Sequence, residues 1–262
     1  MKQNVTISLD GVEKIYPSRR GEPIVALKDI SLGFEEATFV SVVGPSGCGK
    51  STLLMVLAGL IEATSGTLSI KGEPISGPRD DVGLVFQKPV LLPWKTVMSN
   101  VLLPVRIKGG DMAAAEERTR GLLEMVGLAG TEEMYPFELS GGMQQRAALV
   151  RALSYDPDIL LMDEPFGALD AMTREKLTVD LQRIWLDSKK TVVFVTHSIS
   201  EAVFLGDRVV VMGTDPGRVL EVIDVSIDRP RSLAVTTSNR FGEMVSHIRH
   251  LLGIEEIDSA IE

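Results

Sequence analysis

Three short stretches carry residue types that could together do phosphate chemistry. GPSGCGKS, residues 44–51, fits G-x-x-x-x-G-K-[ST]. Such a loop bends so that its N–H groups point at phosphate oxygens, while Lys50 adds a point charge and Ser51 can ligate Mg²⁺. ILLMDEP ends an apolar run on Asp163 and Glu164. Adjacent carboxylates there are costly to ionise without partners, which points to a cation or to proton transfer; a helix cap before PFGALD is the plainer alternative. With the glycine loop upstream, Asp163 is expected to orient the metal and Glu164 to polarise an attacking water. LSGGMQQR, residues 139–146, sets two glycines at an expected helix start, where free N–H groups and the helix dipole favour an anion. Met143 stands where a capping box would need Glu, so the first N–H groups stay available. The chain thus carries two anion-favouring loops.

The elements that must position these residues are legible in the periodicity. Residues 1–43 alternate β-like runs (VTISL, IVALKDISLGF, TFVSVV) with turn residues such as Pro17, Gly21 and Pro23. STLLMVLAGL follows the glycine loop with helical spacing, Gly59 helping to end it. GTLSIKGEPI reads as a hairpin and DVGLVF as a buried strand, and from about Lys88 to Tyr155 the pattern turns mostly helical. DILLMD and TVVFVT are strand-length apolar runs with a crossover helix between them, VVVMG adds a strand, and FGEMVSHIRHLLG reads as a tail helix. The expected fold is α/β, with a mainly parallel sheet, an N-terminal antiparallel β subdomain and an inserted helical subdomain at about 88–155. Residues 1–225 form the expected main domain and 226–262 a short extension.

Four expected strands end on chemistry: TFVSVV at the glycine loop, DVGLVF at Gln87, DILLMD at the acid pair and TVVFVT at His197. Ligands of open α/β sheets bind outside the carboxyl ends of strands, so these ends are expected to converge on one γ-phosphate. A lone His after a strand is more often a structural hydrogen-bonder; beside a glycine loop and an acid pair it reads as catalytic. His247 and His250 lack such company and read as surface residues.

Composition narrows the partners. The sequence holds 27 Lys+Arg against 36 Asp+Glu, a formal charge of −9, the wrong sign for a sequence-independent nucleic-acid binder. MKQNVTISLD has no apolar core like that of an export signal, and no apolar run approaches the roughly 18 residues of a membrane helix. The expectation is a chain neither exported nor membrane-spanning. Cys48, the one cysteine, reads as a small filler of the glycine loop.

Taken in this order, the motifs resemble the ATP-binding subunit of ABC transporters, over residues 5–225. LSGGMQQR is similar to that family's signature motif, GPSGCGKST to its Walker A, ILLMDEP to its Walker B and FGALD to its D-loop; Gln87 and His197 match its Q-loop and H-loop residues. The resemblance implies ATP and Mg²⁺ as ligands and two copies pairing head to tail, so that each signature helix caps the nucleotide held by the other's Walker A loop. It implies catalytic roles for Glu164, His197 and Gln87, and metal roles for Ser51, Gln87 and Asp163. The implied nucleotide contacts are Gly44, Pro45, Ser46, Gly47, Cys48, Gly49, Lys50, Ser51 and Thr52, with Tyr16 stacking on adenine. Ser140, Gly141, Gly142, Gln144 and Asp170 complete the set, Ser140 and Gly142 lying on the partner's phosphate.

FQKPVLLPWKTVMSNV is apolar where a loop should be polar: Val90, Leu91, Leu92, Pro93 and Trp94 either lie buried in the helical lobe or, if exposed, form a patch for a partner surface, and the resemblance implies that residues 87–94 meet a membrane permease. FQ followed by LLPW resembles the importers of nitrate, sulfonate, taurine and thiamine-precursor substrates. That implies solute uptake at the cytoplasmic face of the cell membrane, fed by an extracytoplasmic solute-binding protein. The alternatives are an exporter or cell-division complex, or a soluble chromosome-maintenance or DNA-repair ATPase, whose heads carry long coiled coils that 50–139 lacks.

Overall fold

The computed structural model describes residues 5–18, 21–167 and 169–254. Ala168 of FGALD and the outer ends of the two expected domain ranges, 1–4 and 255–262, lie outside them.

A six-stranded sheet in the order β10-β9-β3-β8-β7-β6 forms the centre. Its strands are β3 (Phe39–Val43), β6 (Val82–Val85), β7 (Ile159–Asp163), β8 (Thr191–Thr196), β9 (Arg208–Gly213) and β10 (Arg218–Asp224). All neighbours run parallel except the β9–β10 pair. Every residue of FVSVV and TVVFVT is buried, because both faces of the sheet are covered. Alternation splits each strand between two cores: Phe39, Val43, Leu160, Met162, Val192 and Phe194 join one, while Val40, Val42, Ile159, Leu161, Val193 and Val195 join the other.

The second core is closed by α1 (Lys50–Leu57) and by a four-stranded antiparallel sheet ordered β2-β1-β4-β5, built from β1 (Val5–Tyr16), β2 (Ile24–Glu35), β4 (Ser65–Ile70) and β5 (Glu73–Pro74). Between β6 and β7 stand four helices: α2 (Val97–Val101), α3 (Leu103–Lys108), α4 (Met112–Met125) and α5 (Gly141–Leu153). They share the first core with α6 (Ala171–Ser188), α7 (Ile199–Leu205) and α8 (Asn239–Leu251). The mainly parallel sheet, the antiparallel N-terminal sheet and the helices between β6 and β7 agree with the expected fold class. β10 and α7 have no counterpart in the periodicity reading.

The tail is stapled to α7 by Arg231, which is only 3% exposed. Its Nη1 donates to the carbonyls of Val203, Phe204 and Gly206 at 2.9, 2.8 and 2.7 Å, capping that helix's C-terminal end. Burial lowers the guanidinium's pKa to about 10. Phe241 and Ile248 of α8 complete the same core.

Candidate active site

Parallel register sets the strand ends level. Val43 pairs with Thr196, Asp163 with Val195, and Val85 with Met162. The glycine loop, Gln87, the acid pair and His197 therefore emerge along one edge, as expected of a sheet whose strands end at a ligand site.

The glycine loop is bent by its neighbours. Gly49, at φ 90°, is the N-cap of α1 and brings no side-chain cap, so the helix's first N–H groups stay available for an anion. A Cβ there would lie 2.6 Å from the Ala26 carbonyl. Ala26 reaches that position because the β1–β2 register slips between Lys14↔Leu27 and Ile15↔Val25, leaving Ala26 as the extra residue of a bulge. The same register sets Tyr16 opposite Ile24, two residues from Ala26, with its ring half-buried beneath the Lys14 ammonium at 5.2 Å. Cys48 is fully buried, and burial pushes its thiol pKa up. That environment suits a filler and not a nucleophile.

Lys50 is buried, with Nζ on the carbonyls of Gly44 at 2.8 Å and Pro45 at 3.0 Å. The same ammonium stands 4.0 Å from Glu164 Oε1. Glu164 Oε2 accepts from Gln87 Nε2 at 3.1 Å and lies 3.3 Å from His197 Nδ1. One carboxylate thus gathers residues that follow three other strands, Lys50 after β3, Gln87 after β6 and His197 after β8. Its backbone sits at φ +43°, sparsely populated for a residue with a side chain, and is held by Glu164 N–H donating to Val195 O at 2.9 Å.

Ser51 Oγ donates to Asp163 Oδ1 at 3.0 Å. Burial pushes the Asp163 pKa up; the Ser51 bond and the Lys50 charge oppose this, and Glu164 adds to it. This all-oxygen pair fits Mg²⁺, a hard ion that takes one or two protein ligands and completes its shell with water and phosphate. Among the described residues no cluster of three or more His, Cys, Asp or Glu could hold a metal instead.

The signature stretch lies apart, at the start of α5. Ser140 is the N-cap, its Oγ accepting from Met143 N–H at 3.3 Å, and Ser140 and Gly141 are exposed. Gly142 faces Leu169 and Thr173. Gln144 turns its amide inward, donating to Pro136 O at 2.9 Å and Leu139 O at 3.3 Å. Asp170 caps α6, accepting from Thr173 N–H at 3.0 Å.

Of the apolar loop after Gln87, Val90 is 58% and Trp94 71% exposed, and Pro93 is exposed. Leu91 instead packs on the larger core, and Leu92 is only partly exposed. Unsignalled in the sequence is Asn100, which is fully buried. It accepts from Leu92 N–H at 2.7 Å and donates to the carbonyls of Leu92, Lys95 and Thr96. Arg151 does similar service, donating to Pro89 O at 2.9 Å and Val90 O at 2.7 Å.

Comparison with known proteins agrees with this geometry. Residues 27–167 match the ABC transporter family. The chain is similar to the nitrate import ATP-binding protein NrtD of Synechococcus elongatus, at 43% identity over 91% of this chain and 88% of the relative. It is 44% identical to an aliphatic sulfonates import ATP-binding protein, SsuB of Bacillus cereus, over 92% and 93% of the two chains. It is 42% identical to the taurine import ATP-binding protein TauB of Rhizobium johnstonii, over 97% and 99%. Among solved structures, a dimeric post-hydrolysis state of the ATP-binding cassette MJ0796 bound to ADP and Pi aligns with TM-score 0.75 and 36% identity, over 85% of this chain and all of that one. Because the family match spans more than half of the chain and these relatives align along nearly all of it, the chain belongs to the ABC transporter family, as an ATP-binding subunit that hydrolyses ATP with Mg²⁺.

Proposed function

We propose that this chain powers solute uptake through a membrane permease, two copies pairing head to tail around two composite ATP sites. The observation that carries the reading is the gathering of Lys50, Gln87 and His197 on Glu164 at one edge of the sheet, while LSGGMQQR opens a different, exposed helix. A site with its base, cation and switch residues on one side needs anion-binding N–H groups from another chain to enclose the phosphate. A two-fold pairing supplies them twice.

In this reading the 44–52 loop cradles the phosphates, and Lys50 exchanges the Gly44 and Pro45 carbonyls for phosphate oxygens. Tyr16 stacks on adenine, a contact worth roughly 1 to 3 kcal/mol. Ser51, Asp163 and Gln87 hold Mg²⁺, which when bound neutralises phosphate charge. Glu164 orients and polarises the attacking water, and His197 and Gln87 hold that carboxylate and the γ-phosphate in register. Ser140, Gly141 and Gly142 reach the nucleotide of the other copy, with Asp170 beside the junction; Gln144 supports them by bracing the turn before α5. Domain limits of 1–225, with 88–155 as the helical part and 226–262 as an extension, suit this division of labour.

The names of the relatives favour import over export or cell division, and nitrate, sulfonate or taurine as the solute class. The exposed Val90, Pro93 and Trp94 suit a permease contact at residues 87–94, at the cytoplasmic face of the membrane. No helix among the described residues is long and apolar enough to cross a membrane. In this reading the permease subunits form the pore, fed by an extracytoplasmic solute-binding protein. A chromosome-maintenance or DNA-repair head is disfavoured: between Lys50 and Leu139 the longest helix is α4, with 14 residues. The test is uptake: membrane vesicles holding the partner permease should accumulate an oxyanion or sulfonate only with ATP and this chain. ATP-dependent efflux would overturn the direction.

A further inference from the structure

The two residues that flank His197 are held from behind by a carboxylate that the ATP chemistry does not touch. Thr196 Oγ1 donates to Glu201 Oε2 at 2.6 Å and accepts from Ser198 N–H at 3.0 Å. Ser198 Oγ accepts from Glu201 N–H at 3.3 Å, as the N-cap of α7. His197 therefore stands on a small ring of hydrogen bonds that closes on Glu201, a residue 9% exposed.

Arg174, in the first turn of α6, lies on the other side of that carboxylate. Its Nη2 donates to the Leu169 carbonyl at 3.0 Å, in the turn that connects Glu164 to α6. Its Nε is 3.6 Å from Glu201 Oε1, within ion-pair reach but beyond a hydrogen bond, and this buried N–H has no acceptor. A buried unpaired donor is costly, and a charge-assisted bond to Glu201 would satisfy it. A shift of a few tenths of an ångström completes that bond. Burial pushes the Glu201 pKa up, while Thr196 and Arg174 oppose the rise.

We propose that Arg174 and Glu201 are positioning residues of the ATPase, a latch through which the Leu169 turn sets the stance of His197 against Glu164. The latch has two arrangements, Nε unpaired and Nε bonded to Glu201. Movement of the turn when two copies meet selects the second, because Arg174 is tethered to that turn by Nη2. It rests on the reading that His197 and Glu164 face the γ-phosphate, and it adds the group that tells them the turn has moved.

The experiment is a double-mutant cycle on the purified chain with ATP and Mg²⁺, following kcat, KM for ATP and Tm. Arg174→Gln and Glu201→Gln are the single variants; the Glu201→Gln change keeps an oxygen for Thr196 and removes the charge facing Arg174. Each single variant should lower kcat about ten-fold and change KM less than two-fold, and the double variant should be no slower than the slower single one. Losses that multiply in the double variant, or kcat values at wild-type level, overturn the latch. So does a kcat loss explained by a fall in Tm that leaves part of the sample unfolded. If Arg174→Gln does not fold, Glu201→Gln alone decides through its kcat against KM. His197→Ala is the control: an active His197→Ala overturns the parent reading and the latch with it, whereas an inactive one beside wild-type latch variants overturns the latch only.

Discussion

At the scale of single residues, Glu164 is where the constraints meet. Lys50 stands 4.0 Å from one carboxylate oxygen, and Gln87 and His197 stand 3.1 and 3.3 Å from the other. A left-handed φ at a residue with a side chain costs of order 1–3 kcal/mol, a strain that aims the carboxylate at its partners. Glu164→Gln keeps the shape and removes the carboxylate that we propose as the base. It should trap an ATP-bound dimer, seen by light scattering, and slow phosphate release by roughly 10²–10⁴-fold. A Glu164→Gln protein that stays monomeric in ATP contradicts the role assigned to Glu164. Gly49 admits no side chain, since a Cβ would press on the Ala26 carbonyl at a φ of 90°. Gly49→Ala should cost about 2 kcal/mol or more in a urea melt and abolish ATP binding by calorimetry.

At the scale of elements, the loop after β6 is shaped by a residue that the sequence does not flag. Asn100 binds one N–H and three carbonyls of the chain between Leu92 and Thr96; Asn100→Ala takes the partner from the Leu92 N–H and the Lys95 carbonyl, while the Leu92 and Thr96 carbonyls keep the Lys95 and Asn100 N–H groups. The expected cost is about 2 kcal/mol, with faster hydrogen exchange at the Leu92 amide. A second tie joins the antiparallel sheet to the core: Arg79 and Lys71 bind Asp81 and hold its pKa at about 2, below the ordinary 3.8. A lowered pKa means stability that is present above about 3.8 and lost as the pH falls through about 2. Asp81→Asn should therefore cost about 1 kcal/mol at neutral pH and almost nothing near the acid limit, a difference that paired urea melts would read. The strands, their order of use and their convergence were legible because apolar runs end on Gly44, Gln87, Asp163 and His197, and burial on both faces leaves little else for such runs to do. Asn100, Arg151 and Arg231 were not legible. Their partners are backbone carbonyls of other segments, and carbonyls carry no sequence signal. Leu91 read as part of an exposed patch because its loop is apolar throughout, yet it turns into the core while Val90 and Trp94 stay outside. β10 was missed because, at the sheet edge, its RVLEVID alternates without a buried face.

For the whole molecule, the two anion-favouring loops define the assembly. The Walker A loop is at the sheet edge with Glu164 beside Lys50 and with Gln87 and His197 on that carboxylate, and the signature loop opens α5 with Ser140 and Gly141 exposed. One copy therefore holds half of each of two reaction sites, and activity belongs to the pair. The formal charge of −9 opposes the pairing of two like copies most at low ionic strength, where screening is weak. The most direct test is the ATPase rate per chain across a dilution series, with light scattering on the same samples. The account predicts that the specific rate falls with the dimer fraction as the chain is diluted and that monomers are inactive. A specific rate independent of dilution, in samples that scatter as monomers throughout, would contradict it.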